Sequence, residues 1–298
     1  MMSESGVLIA HDFSERSERA AGRAFQLADE HGMPVHAAHV VDEAFPERKW
    51  LKDADTDSEG SIVERLKDAV RERLTRELSA LKGESGVTIK PHAAFGYVAE
   101  QLHTLAEGTG SQLLVIGAHG RHAVRDLLLG STAEQLLWYM HMPTLVVRRE
   151  SVTPYQQVVI AADFSEEAET AMAAVRTWFP RANVRIVHVI DSRAFERLRD
   201  AGMPNEALEE EWQQQDRTVT DYLQSMMERT GMIGDHVDVR IIHGHPVEEI
   251  ENQVSEVNAD LVVMGGHSRS RLTRWLPGRV SSRLVHKLPC DVMLARGD

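Results

Sequence analysis

Two short stretches of the chain carry the residue types needed to hold an anion. Gly117-Ala118-His119-Gly120 follows the apolar run Leu113–Ile116, and after nine intervening residues comes Gly130-Ser131-Thr132. Glycines 117 and 120 let the backbone turn without a Cβ penalty and approach a ligand closely. Gly130-Ser131-Thr132 opens a helix, whose free N–H groups and positive dipole end attract negative charge. The two hydroxyls add donors at the same place. These parts describe a cradle for a phosphate chain, built mainly of main-chain amides and bordered by His119 and Arg121. It is neither a P-loop, since no GxxxxGK[ST] occurs, nor a GxGxxG dinucleotide fingerprint.

Turnover is less well provided for than binding. Phosphoryl transfer needs a positioned water, a neutralising cation and usually a lysine or arginine on the transferred group. The chain has no Walker lysine and no dedicated metal-binding carboxylate pair. Arg121 and Arg125 are the candidate cations, but no catalytic residue is assigned, and at most slow hydrolysis is expected. Simpler readings stand beside each motif. The glycines also serve as turn residues, and Asp12 serves, with Ser14, as a cap for the helix that follows. Fifteen histidines invite a metal reading. His119, His122 and His243-x-His245 lack the paired spacing of a structural zinc site, with Cys290 remote from them, and read as surface and loop residues. Cys290, just before a strand, reads as a buried thiol. Trp138-Tyr139-Met140 and the Trp and Met residues of Trp212–Met227 read as packing.

The elements that must position the cradle come in two sets, because the chain repeats itself. Val7-Leu8-Ile9-Ala10-His11-Asp12-Phe13-Ser14 returns as Val158-Val159-Ile160-Ala161-Ala162-Asp163-Phe164-Ser165, an offset of 163 − 12 = 151. His39-Val40-Val41-Asp42 returns as His188-Val189-Ile190-Asp191, offset 149, and Gly96, Gly117 and Gly130 return as Gly244, Gly265 and Gly278, offset 148. Two domains follow, 1–150 and 154–298, joined near Arg149–Tyr155. In the first, strands are expected at Val7–Ala10, Val35–Val41, Val87–Ala93, Leu113–Ile116 and Thr144–Val147. Helices are expected after Ser14, from a capping box Ser61-x-x-Glu64, over Ala99–Ala106 and over Thr132–Tyr139, with an acidic loop across 42–60. The second domain is expected in the same order, with Pro246 at the first turn of its third helix. Continuous apolar strands alternating with amphipathic helices indicate an α/β fold: two tandem, doubly wound, flavodoxin-like (Rossmann-like) domains. Each is a five-stranded parallel sheet with helices on both faces. Ligands of such sheets sit beyond the carboxyl ends of the strands, at the switch point.

The spacing Gly-x2-Gly-x9-Gly-Ser after an apolar strand, with Asp12 closing the first strand, resembles the ATP-binding universal stress proteins. The repeat makes the whole chain look like a tandem member of that family. The resemblance implies a stress-response or regulatory protein with ATP in the first domain, Mg²⁺ left open. The base would lie near Ala10, Asp12 and Val40, and the ribose and phosphates along Gly117, Gly120, Gly130, Ser131 and Thr132. It also implies pairing through last strands, so that Thr144–Val147 and Val292–Ala295 would form a pseudo-dimer within one chain; a homodimer of chains is left open. The second copy departs from the pattern. Its loop reads Gly265-Gly266-His267-Ser268, and Gly278-Arg279-Val280-Ser281 follows, so serine and arginine replace a glycine and a hydroxyl residue. Asp163 and Val189 keep the base end. Arg279 either blocks the cradle or offers a guanidinium to a phosphate, and the second domain is read as degenerate, its ligand unassigned.

Composition bounds the alternatives. Of 298 residues, 42% are hydrophobic and 27% charged, enough apolar surface for packed cores. There are 46 acids against 33 bases, a net charge of −13. Split at residue 150, the first half has 23 acids and 17 bases, and both halves are acidic with no basic stripe. A duplex-binding surface is therefore not expected. One cysteine rules out an intramolecular disulfide framework and suits a reducing compartment. No apolar run approaches the length of a bilayer span, and the N-terminus lacks a signal pattern, so a cytoplasmic protein is expected. The rival readings are a nucleotide-independent scaffold for unknown protein partners and an ATP-consuming phosphotransferase.

Overall fold

The computed structural model describes residues 5–42, 56–118, 129–150, 152–266 and 279–296. The chain separates into two compact units, Met1–Pro154 (with Asp298) and Tyr155–Gly297. In the first, five strands alternate with four helices: β1 Val7–Ala10, α1 Glu15–His31, β2 Val35–Asp42, α2 Thr56–Lys82, β3 Ile89–Gly96, α3 Val98–Thr109, β4 Leu113–Gly117, α4 Ser131–Tyr139 and β5 Thr144–Val147. The strands pair in parallel in the order β3-β2-β1-β4-β5. Successive crossovers run outward from β1 in one direction, then from β4 in the other. The reversal between β1 and β4 puts α1 against α2 and α3 against α4. It also leaves a crevice at the carboxyl ends of β1 and β4.

The second unit repeats this order: β6 Gln157–Ala161, α5 Glu166–Trp178, β7 Asn183–Asp191, α6 Arg193–Asp200, α7 Asn205–Thr230, β8 Val237–Gly244, α8 Pro246–Glu256, β9 Leu261–Gly265, α9 Arg279–Lys287 and β10 Asp291–Ala295. Its strands run β8-β7-β6-β9-β10, again parallel. The central strands explain their own burial. Val7, Leu8, Ile9, Leu113, Leu114 and Val115 are fully buried, as are Val159, Ile160 and Leu261–Val263 in the second unit. Strands covered on both faces take continuous Val, Ile and Leu rather than alternation.

Three expectations change. The helix α2 opens at Thr56, so Ser61 and Glu64 lie inside it rather than forming its capping box. A 27-residue helix tolerates Gly60, whose cost of about 1 kcal/mol is spread over many turns. The third strand begins at Ile89, two residues late, and runs through Pro91 to Gly96. In the second unit an additional helix, α6, precedes the long one. It buries Phe195, whose ring lies 5.2 Å from that of Trp212 on α7. Pro246 stands in the first turn of α8, as its fixed φ favours. Among the described residues no helix is long and apolar enough to cross a membrane.

Candidate functional site

The turn after β1 is tied down from several directions. Ser14 caps α1: its hydroxyl accepts from Ser17 N–H at 3.2 Å, and the Ser17 hydroxyl accepts in return from Ser14 N–H at 3.1 Å. Asp12 braces that cap, its Oδ1 accepting from both the N–H (3.1 Å) and the hydroxyl (2.5 Å) of Ser14. Between them Phe13 is left-handed, with φ +61°. The second unit builds the same brace, Asp163 to Ser165, and Ser165 accepts from Ala168 N–H at 3.2 Å. On the neighbouring strands His39 Nδ1 lies 2.7 Å from the His11 carbonyl and His188 Nδ1 lies 2.9 Å from the Ala162 carbonyl. A carbonyl only accepts, so each imidazole carries its proton on Nδ1. Burial pushes the His188 pKa down, against the opposing pull of the Ala162 carbonyl and the Asp163 charge.

A ring that sequence reasoning left unassigned covers each of these histidines. Phe13 lies 4.6 Å from His39, and Phe164 lies 4.6 Å from His188. The long helices add a third group: Arg73 places its guanidinium 3.9 Å over Phe13, while Tyr222 stands edge-on to Phe164 at 4.9 Å. The offset 222 − 73 = 149 equals that of His39 and His188, so these are one position with two chemistries. The signal was present in the repeated Asp-Phe-Ser and His-Val-x-Asp. It went unread because Arg73 and Tyr222 lie far along helices that periodicity treats as generic.

The glycine loop has a packing requirement of its own. A Cβ on Gly117 would stand 2.9 Å from the Arg16 carbonyl oxygen, and one on Gly265 would stand 2.6 Å from Glu167 Cβ. The ends of β4 and β9 thus press on the first turns of α1 and α5, and only glycine fits. This holds whether or not a ligand is present, so Gly117 by itself argues less for a ligand than its motif suggests. The next residue links the site together. Ala118 donates its N–H to Val147 at 3.1 Å and accepts at its carbonyl from Gly130 N–H at 2.8 Å. That bond fixes the start of α4 beside the end of β4. The N-cap of α4 is Gly130, which makes no side-chain cap, and the next two residues, Ser131 and Thr132, are exposed. The helix start is therefore polar and accessible, in contrast to the sealed start of α1.

The register gathers these residues at one edge. Ala10 pairs with Ala38, so Val40 lies two residues further along β2; Ile9 pairs with Val115, two residues before Gly117. Ala10, Asp12, Val40, Gly117, Gly130, Ser131 and Thr132 all stand at or just past the carboxyl ends of β1, β2 and β4. His119, Gly120 and Arg121 lie outside the described residues, as do His122, Arg125, His267, Ser268 and Gly278. In the second unit Asp163, Val189 and Gly265 occupy the matching places, and Arg279 is the first residue of α9. His243 turns to α7, Nε2 2.7 Å from Asp216 Oδ1 and ring 5.0 Å from Trp212. Trp138 and Met140 are buried, but Trp212 is 38% exposed. Cys290 is buried and forms no disulfide. Among the described residues no group of three or more His, Cys, Asp or Glu converges to hold a metal. A broad, open cleft of about 710 Å³ lies at the opposite edge, where β1–β3 begin, lined by Asp29, Met33, Pro34 and Thr88 among others. Strand-start edges of such sheets are not where their ligands bind, so the crevice at the strand ends remains the candidate.

Comparison with known proteins agrees with this fold. A model of the universal stress protein family matches residues 6–148 and again 154–296. A universal stress protein of Mycolicibacterium smegmatis is 25% identical over 304 residues, covering 99% of this chain and 98% of that one. One from Methanocaldococcus jannaschii is 32% identical over 146 residues, covering 48% of this chain and 81% of its own length. Among solved structures, a universal stress protein from Archaeoglobus fulgidus superposes with a TM-score of 0.65 at 20% identity, with 99% of each chain covered.

Proposed function

The chain belongs to the universal stress protein family, as two family domains in tandem, and from that premise we propose that its first domain binds an adenine nucleotide, ATP in the fullest form of the reading. The observation that carries this is the pairing of an uncapped, hydroxyl-bearing helix start at Gly130–Thr132 with the end of β4, through the Ala118–Gly130 bond. Main-chain N–H groups there suit a phosphate, while Ala10, Asp12 and Val40 frame a site for the base on the adjoining strands. His119, Gly120 and Arg121 complete the proposed set. The second domain keeps the base end, through Asp163 and Val189, but starts its last helix with Arg279 in place of a hydroxyl residue; we assign it no ATP.

The nucleotide acts as a ligand that stabilises the folded first domain, by about 2.7 kcal/mol at a hundredfold excess over Kd. No cation or carboxylate pair for turnover is assigned, so the function is regulatory binding rather than catalysis. The test is the nucleotide content of the purified chain, read after acid release, beside the variant Ser131→Glu. Glutamate at the first turn favours the helix and repels a phosphate, so the variant should fold as well as the parent and come out empty. About one nucleotide per chain, lost in Ser131→Glu, supports the reading. About two would show that the second domain is a working site, and none, with no thermal shift on adding ATP, would leave the scaffold reading in its place.

A further inference from the structure

The strands β3 and β8 are the outer edges of their two sheets as far as pairing with β2 and β7 goes, and the two edges differ at one position. The Thr88 carbonyl accepts from Val35 N–H and the His236 carbonyl from Val184 N–H. Backbone groups alternate along a strand, so residues 88, 90, 92 and 94 turn toward β2, and 236, 238, 240 and 242 toward β7. The odd-numbered residues therefore present their N–H and C=O outward. On β3 the outward residue in the middle is Pro91, which has no N–H to offer, and Lys90 stands beside it. Proline and lysine are the usual guards of an exposed edge. Adding the offset of 148 shared by Gly96 and Gly244, Pro91 corresponds to Val239, and the guard is absent.

What replaces the guard complements itself. Among the described residues β8 pairs with β7 alone. Val239 is 36% exposed, and beside it Asp238 and Arg240 have side chains 44% and 52% exposed. Only outward residues exchange bonds with an added strand, so a second β8 laid antiparallel on a two-fold axis must pair odd with odd. Centring the axis on residue 238 sets Asp238 against itself, and centring it on 240 sets Arg240 against itself. Centring it on Val239 pairs Val239 with its own copy and Val237 with Ile241. It also sets Asp238 against Arg240 twice, in the close non-hydrogen-bonded pairs where opposite charges help most. Val237 N–H is already given to the Gly234 carbonyl at 3.0 Å, leaving its carbonyl for the Ile241 N–H of the other copy.

We infer that the outer edge of β8 is a homotypic docking edge, on which a second copy of this chain adds its own β8 antiparallel about Val239. A two-fold contact of this kind closes on itself and removes two exposed edges at once. The ribbon is short and well below the area of a permanent interface, so the association is weak, with Kd in about the micromolar range or above.

The experiment is sedimentation equilibrium of the full chain over roughly 10–500 μM, for which a weight-average mass rising from 33.4 kDa toward twice that value is expected. Val239→Pro should hold the mass at one chain across the range. The residue's N–H points away from β7 and the first domain accommodates proline at the same place, so melting temperature and circular dichroism should match the parent. Arg240→Asp sets carboxylates opposite each other and should raise Kd by about tenfold or more. A parent chain that stays monomeric at 500 μM overturns the inference. So does a dimer whose Kd is unchanged by Val239→Pro, which would place the contact elsewhere.

Discussion

On the paired outer strands of the first domain two histidines meet. His36 Nδ1 lies 3.0 Å from His92 Nε2, with the rings stacked at 5.3 Å. At the same positions of the second domain stand Arg185 (36 + 149) and Arg240 (92 + 148), while Lys90 becomes Asp238 (90 + 148). There Arg185 reaches Asp238 at 2.9 Å and Glu256 at 2.8 Å, and Arg240 reaches Asp238 at 3.1 Å. One fold thus solves the same register twice, once with a stacked pair of imidazoles and once with a network of ion pairs. The strand ends behave oppositely: Asp12 and Asp163 brace the same serine caps, and Gly117 and Gly265 meet the same helix turns. Positions that close the fold are held in common, while positions on the flanks carry the chemistry that distinguishes the domains.

The largest expected effect tests what is common. Gly117→Ala and Gly265→Ala each drive a Cβ into helix backbone or Cβ atoms at 2.6–2.9 Å, so each should destabilise its domain by about 2–3 kcal/mol in urea denaturation. The two losses should agree within about 1 kcal/mol. A neutral Gly117→Ala would break the equivalence and hand that glycine back to ligand binding.

The next effect tests what differs. Burial first, then the neighbouring His36, Arg71 and Lys90, lower the His92 pKa from 6.5 to about 4. The unfolded chain therefore binds this proton before the folded one does. The stability supplied by neutral His92 is whole above pH 6.5 and is lost as pH falls toward 4. Allowing for partial exposure, the loss is on the order of 1–2 kcal/mol. In the second domain burial pulls Arg185 down, but its bonds to Glu256 and Asp238 outweigh this and raise it. The same Arg185 bond holds the Glu256 carboxyl below its usual 4.5, so this contribution fades only at more acid pH. His188, also lowered by burial, adds a loss of the same sign below 6.5 in the second domain. The clean measurement is therefore wild type against His92→Gln between pH 7 and 4. The variant should lose about 1–2 kcal/mol less over that range, and an identical slope would remove the histidine pair as the cause.

How far the sequence reveals this molecule follows from which interactions are local. Strand runs such as Leu113–Ile116, the caps at Ser14 and Ser165 and Pro246 at a helix start are short-range patterns, and the sheet order follows from them through connection rules. The glycine spacing pointed to the carboxyl edge of the sheet, but not to the packing requirement at Gly117, which is set by the Arg16 carbonyl some hundred residues away in sequence. Arg73 over Phe13, Asp216 on His243 and the extra helix α6 were illegible for the same cause. Each depends on where a long helix crosses a strand end, and periodicity does not specify that crossing.

The smallest effect separates the two phenylalanines. Among the described residues other than glycine, only Phe13 and Asn258 have positive φ, so Phe13 carries a left-handed strain of about 1–2 kcal/mol that its counterpart Phe164 does not. Phe13→Gly releases that strain while giving up the contacts with His39 and Arg73, the latter worth about 0.5–1 kcal/mol at an exposed site, and adding the backbone freedom of glycine. Gain and losses nearly cancel, and a net change within about 0.5 kcal/mol is expected. Phe164→Gly has no strain to release. It loses the contacts with His188 and Tyr222 and adds the backbone freedom of glycine, so a loss of about 1–2 kcal/mol is expected. Thermal unfolding of both variants measures the gap. Equal losses would mean that Phe13 is held in its left-handed turn at no cost, and that the brace from Asp12 to Ser14, rather than the ring over His39, sets the shape of the first domain's strand end.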